Sequence, residues 1–364
     1  MTADRSHRAG GRSYRGLTVL AAAAGGVGLV IAGLGAVGGP DAVLGPEPVA
    51  EISHGATGAA ASPVASTTPA PSVSAHERPA ARSAPRAARL PAYHVHTAPP
   101  PLVRKPVEVS VAYTLRVGTL NVLGSNHTHN SKQWAPGVVR TAREASAVEA
   151  RGIDVIGFQE MQTDQIGVLQ RDLGGYDIWP GTALGSNGYR LQVAWRSDKL
   201  ELVDTGTVST VFSHQMRPLP WVKLRSRANG GEFYFVTLHN SPRGLESERD
   251  SATGAEIGLL NQLLSTGLPV IVVGDTNEPY EFYCRVAPAT GMAALNGSSV
   301  AGGCSVPHPS GLDWVMGGSR GTPLSFSDYH REDMPGMSDH PIVFGAVTLT
   351  TTVRRDPVSG RIVK

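Results

Sequence analysis

Four apolar runs in this chain each stop at a residue that can carry chemistry. LRVGTLN ends at Asn121, IDVIGFQE at Glu160, FYFVTLH at His239, and VIVVGDTN carries Asp275 and Asn277. Short runs of β-branched and aromatic residues predict buried strands, and open sheets bind their ligands outside the carboxyl ends of such strands. A further segment, Ser338-Asp339-His340-Pro341, precedes the last apolar run and supplies a carboxylate and an imidazole on which the four strand ends can converge.

Elsewhere the apolar period becomes helical. Val138, Val139, Ala142, Ala145 and Val148 share a face and predict a helix over 137–150. The pattern predicts strands over 114–121, 153–159, 269–274, 311–316 and 341–349, and helices over 162–172 and 245–264 with a short one near Tyr280. Several strands fall between 176 and 240. Helices alternating with strands at both ends, around a central run of strands, predict an α/β fold of two packed sheets covered outside by helices.

Composition confines this fold to part of the 364 residues. Residues 1–107 are dense in Ala, Pro, Ser and Thr and nearly lack aromatic side chains, so they cannot bury enough apolar surface to fold alone. One domain over 108–350 remains, followed by a basic tail at 351–364. The domain carries 18 Lys and Arg against 24 Asp and Glu, which argues against a large basic face gripping nucleic acid non-specifically. Lys223, Arg225 and Arg227 alternate along one predicted strand and read as a solvated strand face.

The N-terminus suggests export. A basic segment, 1–15, with Arg5, Arg8, Arg12 and Arg15, precedes an uncharged stretch over 16–39. Roughly 20 such residues span a bilayer as a helix, and the basic flank keeps its own side cytoplasmic. The expectation is a single-pass cell-membrane anchor with the domain outside the cytoplasm; the alternative is a cleaved signal sequence and a secreted protein. Residues 40–107 read as a disordered Pro/Ala/Ser-rich linker with a coil span on the order of 45 Å. Its His94 and His96 read as solvated. In an exported domain, the two cysteines, Cys284 and Cys304, predict a disulfide.

Phosphoester hydrolysis requires a Lewis acid, an activated water and a proton donor for the leaving oxygen. Asn121, Glu160, Asp275 and Asp339 offer hard oxygen ligands, which suit Mg²⁺, with Mn²⁺ or Ca²⁺ as alternatives. His239 and His340 titrate near neutrality, and Asp313, in GLDWV, is placed to hold His340 in one tautomer. Singly, each residue also reads as a cap, turn or salt bridge; together, polar groups at the ends of apolar strands point to a site.

GTLN at 118–121, FQE at 158–160, LHNSP at 238–242, GDTN at 274–277, LDWV at 312–315 and SDHP at 338–341 resemble, in this order, the endonuclease/exonuclease/phosphatase superfamily, and FVTLHNSP and AWRSDKLELVDTG resemble its deoxyribonuclease I-like members. The resemblance implies a four-layer α/β/β/α sandwich and divalent-metal phosphoesterase chemistry. Asn121 and Glu160 would bind the metal, with Asp339 near it or near a second ion. Asp275 and Asn277 would position the scissile phosphate and water, His239 and His340 would share acid and base roles, and Asp313 would pair with His340.

The sequence departs from the pattern in places. Thr276 replaces a large apolar residue, with its side chain expected to point away from the site. The acidic partner of the first histidine is not evident between Tyr189 and Trp195, where Gln192 is the nearest polar candidate. Trp314 after Asp313 breaks the inositol 5-phosphatase pattern, and the segment 125–129, just after Asn121, is read as a mobile polar loop in preference to a lining of the pocket. The leading expectation is an exported, membrane-tethered, metal-dependent phosphodiesterase with a monomeric catalytic domain and extracellular DNA as a substrate. The alternatives are a phosphatase or phospholipase C-like hydrolase of lipid or inositol phosphate head groups, and an inactive cell-surface binding module.

Overall fold

The computed structural model describes residues 104–308 and 310–363. The proposed anchor at 16–39 and most of the linker lie outside the described residues. No helix among the described residues is long and apolar enough to cross a membrane.

Two six-stranded mixed sheets form the domain. The first is built from β1 (Val107–Asn121), β2 (Val155–Gln159), β3 (Tyr176–Trp179), β4 (Gln192–Arg196), β11 (Leu324–Glu332) and β12 (Ile342–Arg355). Its order is β11-β12-β1-β2-β4-β3. The second contains β5 (Leu200–Phe212), β6 (Gln215–Ser226), β7 (Glu232–His239), β8 (Val270–Asp275), β9 (Ala293–Ala294) and β10 (Asp313–Gly318). It is ordered β5-β6-β7-β8-β10-β9. Each sheet is centred on a parallel pair, β1 with β2 and β7 with β8. The crossovers contain α1 (Gly137–Ala150) and α3 (Glu246–Leu264), and α2 (Thr163–Asp172) and α4 (Glu281–Thr290) complete the helices.

The period-two alternation sorts side chains into layers. Leu115, Val117, Val155, Phe233, Phe235, Ile271, Val273 and Val315 meet between the sheets. Leu120, Ile156 and Phe158 turn outward onto Ala145 and Val148 of α1 and Ile166 and Leu169 of α2. Val236, Val272, Trp314 and Met316 turn the other way, onto Leu260 and Leu263 of α3 and Phe282 and Val286 of α4. Three apolar seams thus separate four layers, helix, sheet, sheet, helix. Gly157 faces the second sheet at close range: a Cβ there would sit 2.5 Å from Val273 Cγ2 and 2.6 Å from Thr237 Oγ1.

Several elements differ from the sequence expectation. β1 and β12 are longer than predicted and pair from Val107↔Arg355 to Thr119↔Val343, so residues 351–355 of the expected tail are strand. Polar β-branched residues and exposed edges there give no apolar signal. Strand β11, LSFSDYHRE, is missing from the prediction because it is an edge strand with mostly exposed side chains. The basic stripe is a paired surface: Lys223 and Arg225 each lie 2.6 Å from Glu232. Cys284 and Cys304 form a disulfide with Cα atoms 5.6 Å apart. In the chain-entropy account, closing a loop of this size stabilises by about 3 kcal/mol.

Two carboxyls inside the helical layers carry a pH prediction. Burial pushes Glu256 of α3 up to about 8, against one hydrogen bond from Asn240 Nδ2 at 3.3 Å. Burial likewise pushes Glu144 of α1 up to about 8, against the Arg140 charge. An unfolded glutamate titrates near ~4.3. Between that value and about 8 the folded state binds more protons than the unfolded state, so stability falls as pH rises through this window. Glu256→Gln is expected to reduce the fall in Tm between pH 5 and 9; parallel melting curves for variant and wild type would refute this.

Candidate active site

The site lies at one edge of the seam between the sheets, where inward-facing positions change from apolar to polar. Thr119, Gln159 and Thr237 form a buried polar layer: Thr119 Oγ1 donates to Gln159 Oε1 at 3.2 Å, and Gln159 Nε2 donates to Thr237 Oγ1 at 3.0 Å. One step further along the strands stand Asn121, Glu160, His239, Asp275 and Asp313. Strand register brings these together, since His239 and Asp313 both pair across from Asp275.

Asp275 is the hub. Its Oδ2 lies 3.4 Å from His239 Nε2 and 3.5 Å from His340 Nε2, and it accepts a hydrogen bond from Asn121 Nδ2 at 3.1 Å. Its Oδ1 accepts the Asn277 backbone N–H at 2.9 Å. Gly274 permits this turn, because it has φ 152° and a side chain there would collide with the Leu238 carbonyl. Glu160 sits across from the hub, accepting Asn121 Nδ2 and the Gly124 N–H, each at 3.0 Å. Glu160 and Asn277 adopt left-handed φ values of 64° and 52°. Such strain in non-glycine residues concentrates at functional sites.

The two histidines differ in their environments. His340 Nδ1 faces both Asp313 oxygens, at 3.1 and 3.2 Å. Burial opposes charge on His340, but the Asp313 hydrogen bond and the Asp313, Asp275 and Asp339 charges outweigh it and hold the pKa at about 10. His239 is buried, and burial lowers its pKa despite Asp275 and Glu160. Among the described residues, it has no carboxylate in the place that Asp313 takes for His340. Gln192 does not supply that contact: it is buried, accepts the Gly181 N–H, and donates to the Gly181 and Tyr189 carbonyls, each at 2.8 Å. Burial raises Glu160, but His239, Asn121 and Gly124 lower it further, so the net shift favours the carboxylate. Burial raises Asp275, with the Asp313 charge adding to it.

All eight residues singled out from the sequence belong to this region. Glu160, His239, Asp275, Asn277, Asp339 and His340 line a cleft of about 660 Å³, with Asn121 and Asp313 behind it in contact with Glu160, Asp275 or His340. Thr276 is buried and points away, donating to the Glu278 and Leu312 carbonyls. The segment 125–129 borders the site and is hydrogen-bonded to the helices beside it. Ser125 N–H donates to Gln165 Oε1 at 2.9 Å, Thr128 Oγ1 accepts from Arg140, and Asn126 and His127 line the cleft.

Sequence reasoning missed four other contributors. Arg140 is buried in α1 and donates to the carbonyls of Val122, Leu123 and Met337, so it fixes the segments that follow Asn121 and precede Asp339. Phe212, near the tip of the β5–β6 hairpin, sets its ring edge-on to His239 at 4.6 Å. Arg217 lies over that ring at 4.0 Å, and Arg190 lines the same cleft. No local pattern marks these residues, because each reaches the site through a tertiary contact.

A divalent cation fits the oxygen donors here. Glu160 and Asp339 present carboxylates to one cleft, while Asn121 turns its Nδ2 toward Glu160 and its Oδ1 accepts the Leu123 N–H at 3.1 Å. A second grouping, Asp275, Asp313 and His340, offers ligand atoms within 4.8 Å of one another. In that grouping His340 Nδ1 faces Asp313.

The endonuclease/exonuclease/phosphatase family profile matches residues 118–340. Among curated proteins, no sequence matches the chain. Of solved structures, an endonuclease/exonuclease/phosphatase from Bacteroides vulgatus is 17% identical, covering 65% of this chain and 99% of that chain, with a TM-score of 0.52. The human Nocturnin catalytic domain with bound sulfate anion is 17% identical over 67% of this chain and 97% of that chain, with a TM-score of 0.52. D. rerio TDP2 complexed with single strand DNA product is 17% identical over 64% of this chain and 98% of that chain, with a TM-score of 0.50. At these identities the structural likeness establishes the fold, and the profile match across all the strand-end motifs establishes membership: the chain belongs to the endonuclease/exonuclease/phosphatase family.

Proposed function

We propose that the domain is a divalent-metal-dependent phosphodiesterase, exported and held at the cell membrane by its N-terminal segment, with extracellular DNA as a candidate substrate. The observation that carries the reading is the approach of two imidazole Nε2 atoms, His239 and His340, to one carboxylate oxygen of Asp275, opposite Glu160 in a single cleft. Export is supported by the Arg-flanked apolar stretch and by the disulfide, which belongs to an oxidising compartment.

Asn121, Glu160 and Asp339 would hold Mg²⁺, or Mn²⁺ or Ca²⁺, which when bound neutralises phosphate oxygens and polarises phosphorus. The protein's own groups supply the rest. Asp275 and Asn277 orient a water beside the phosphate. His239, neutral in its buried setting, accepts the water proton at Nε2 as the new P–O bond forms. His340, kept protonated by Asp313, donates from Nε2 to the leaving oxygen as the old P–O bond breaks.

The reading is tested with bis-p-nitrophenyl phosphate and plasmid DNA, in Mg²⁺ or in EDTA. Cleavage of both in Mg²⁺, abolished by EDTA, is expected. Inactivity on both, with turnover of lipid or inositol phosphate head groups, would replace it by the phosphatase or phospholipase C-like alternative. Metal-dependent heat stabilisation without turnover of any phosphoester would leave a binding module. A steep loss of activity with salt would favour DNA over a small head group, because only a polyanion exchanges several counterions on binding.

A further inference from the structure

The segment after Asn121 brings to the cleft a residue that the steps above do not use. Ser125–His127 forms a 3₁₀ turn, in which the His127 N–H donates to the Gly124 carbonyl at 2.9 Å. Ser125 Oγ donates to Asp164 Oδ2 at 2.8 Å, which fastens the turn to α2. Gly124 lets it lie close to the end of β2, because a Cβ there would sit 2.5 Å from Asn126 Oδ1 and 2.6 Å from the Glu160 carbonyl. The result is a loop built onto Glu160. The Gly124 N–H reaches Glu160 Oε2 at 3.0 Å, and His127 Nε2 lies 3.4 Å from the same oxygen.

The other two imidazoles of the cleft are directed elsewhere, since His239 and His340 turn their Nε2 atoms to Asp275. Beside Glu160, Asn121 presents an N–H, whereas His127 presents a ring nitrogen that can carry a lone pair. The remaining polar neighbour of that nitrogen is Asn126 Nδ2, at 3.5 Å. As an ion pair alone, a half-exposed imidazole at this distance from a carboxylate contributes little to stability.

The spacing suits a shared cation. Two ligands at roughly 2.1 Å from one ion, at right angles, stand about 3.0 Å apart. A turn of the half-exposed ring covers the difference from 3.4 Å. Donor type then bears on the ion. Carboxylate and water oxygens suit Mg²⁺, Ca²⁺ and Mn²⁺ alike, whereas an imidazole nitrogen favours first-row transition ions over Mg²⁺ and Ca²⁺.

We propose that His127, through Nε2, is a ligand of the divalent cation held by Glu160, and that it gives this site a preference for a first-row transition ion over Mg²⁺ and Ca²⁺. The assignment rests on the divalent-metal reading above and specifies the class of ion for that site. Water and substrate oxygens complete the coordination.

The test reads the metal and not the turnover. Full-length protein is loaded with Mn²⁺, and electron spin echo envelope modulation records nitrogen bonded to the ion. Directly bonded nitrogen is expected in wild type, absent in His127→Ala, and retained in His340→Ala and in His129→Ala. Calorimetry with Mn²⁺ and with Mg²⁺ gives the preference. His127→Ala is expected to weaken Mn²⁺ at least about tenfold, the lower end for changes around a metal site, and Mg²⁺ by less than about threefold. His127→Asp, which restores an oxygen ligand, is expected to keep Mg²⁺ at wild-type affinity or tighter without bringing the nitrogen signal back. Circular dichroism verifies that the variants fold. Bound Mn²⁺ without nitrogen in wild type, or a nitrogen signal that survives in folded His127→Ala, overturns the ligand. Equal weakening of Mn²⁺ and Mg²⁺ overturns the preference. Cleavage of bis-p-nitrophenyl phosphate without a nitrogen signal would leave the phosphodiesterase reading standing and remove His127 from the metal. A signal lost in His127→Ala, with no phosphoester cleaved by wild type, would support the ligand and sink the hydrolytic reading.

Discussion

His340→Ala is expected to lower kcat for bis-p-nitrophenyl phosphate by about 10²–10⁴-fold with little change in KM, the range associated with removing a positioned general acid. The imidazole is expected to act mainly in the transition state, where charge develops on the leaving oxygen. Asp313→Asn is expected to cost less, because it leaves His340 in place and removes only the group that orients and charges it through contacts of 3.1 and 3.2 Å. The steady-state rates of both variants provide the check. A His340→Ala enzyme within about threefold of wild type would remove this residue from the chemistry and transfer the acid role to His239 or to water.

The second large effect concerns Glu160. Glu160→Gln keeps the shape of the side chain but removes the charge that would hold a divalent cation beside Asn121. The expected loss is about 10²–10³-fold in kcat/KM, comparable to removing a strong electrostatic stabiliser of the transition state. Two measurements separate this from a packing defect. Raising Mg²⁺ should recover part of the activity if the defect is weakened cation binding. The rise in wild-type Tm on adding Mg²⁺ should shrink in the variant, since a ligand stabilises the folded state only in proportion to its occupancy. An unchanged Mg²⁺-induced rise in Tm would place the cation elsewhere, and the group of Asp275, Asp313 and His340 would then be tested next.

The sequence was informative wherever a single strand carried both its burial and its chemistry. Phe158 to Glu160, Leu238 to His239 and Val273 to Asp275 each show in order an apolar run, a polar terminus and the turn after it. Period-two alternation places Asn121, His239 and Asp275 on the same inward side as Val117, Phe235 and Val273. It also marked Asp313 and His340, because a carboxylate and an imidazole next to apolar strands are costly unless paired. The uncharged stretch at 16–39 and its Arg-rich flank are likewise legible in composition alone, and the membrane anchor read from them is a proposal.

Tertiary structure decided what depends on contacts between distant segments. That Gln192 braces the segment of Arg190, and does not pair with His239 as Asp313 does with His340, follows from β2–β4 pairing and the fold of residues 180–191. That Phe212 and Arg217 reach His239 follows from the length and direction of the β5–β6 hairpin, whose own sequence marks neither residue. Arg140, within the predicted helix over 137–150 but unmarked by its apolar face, is buried and holds three carbonyls from two loops. Strand β11 was missed because only Leu324 and Phe326 of this edge strand pack on the core, too short an alternation to stand out among polar and exposed residues. Local pattern thus determined which strands are buried and which groups stand at their ends, because the cost of burying polar atoms acts residue by residue. The packing of the two sheets, with its loops and hairpin, decided which of those groups touch, because a contact depends on both partners' positions and the local pattern specifies each alone.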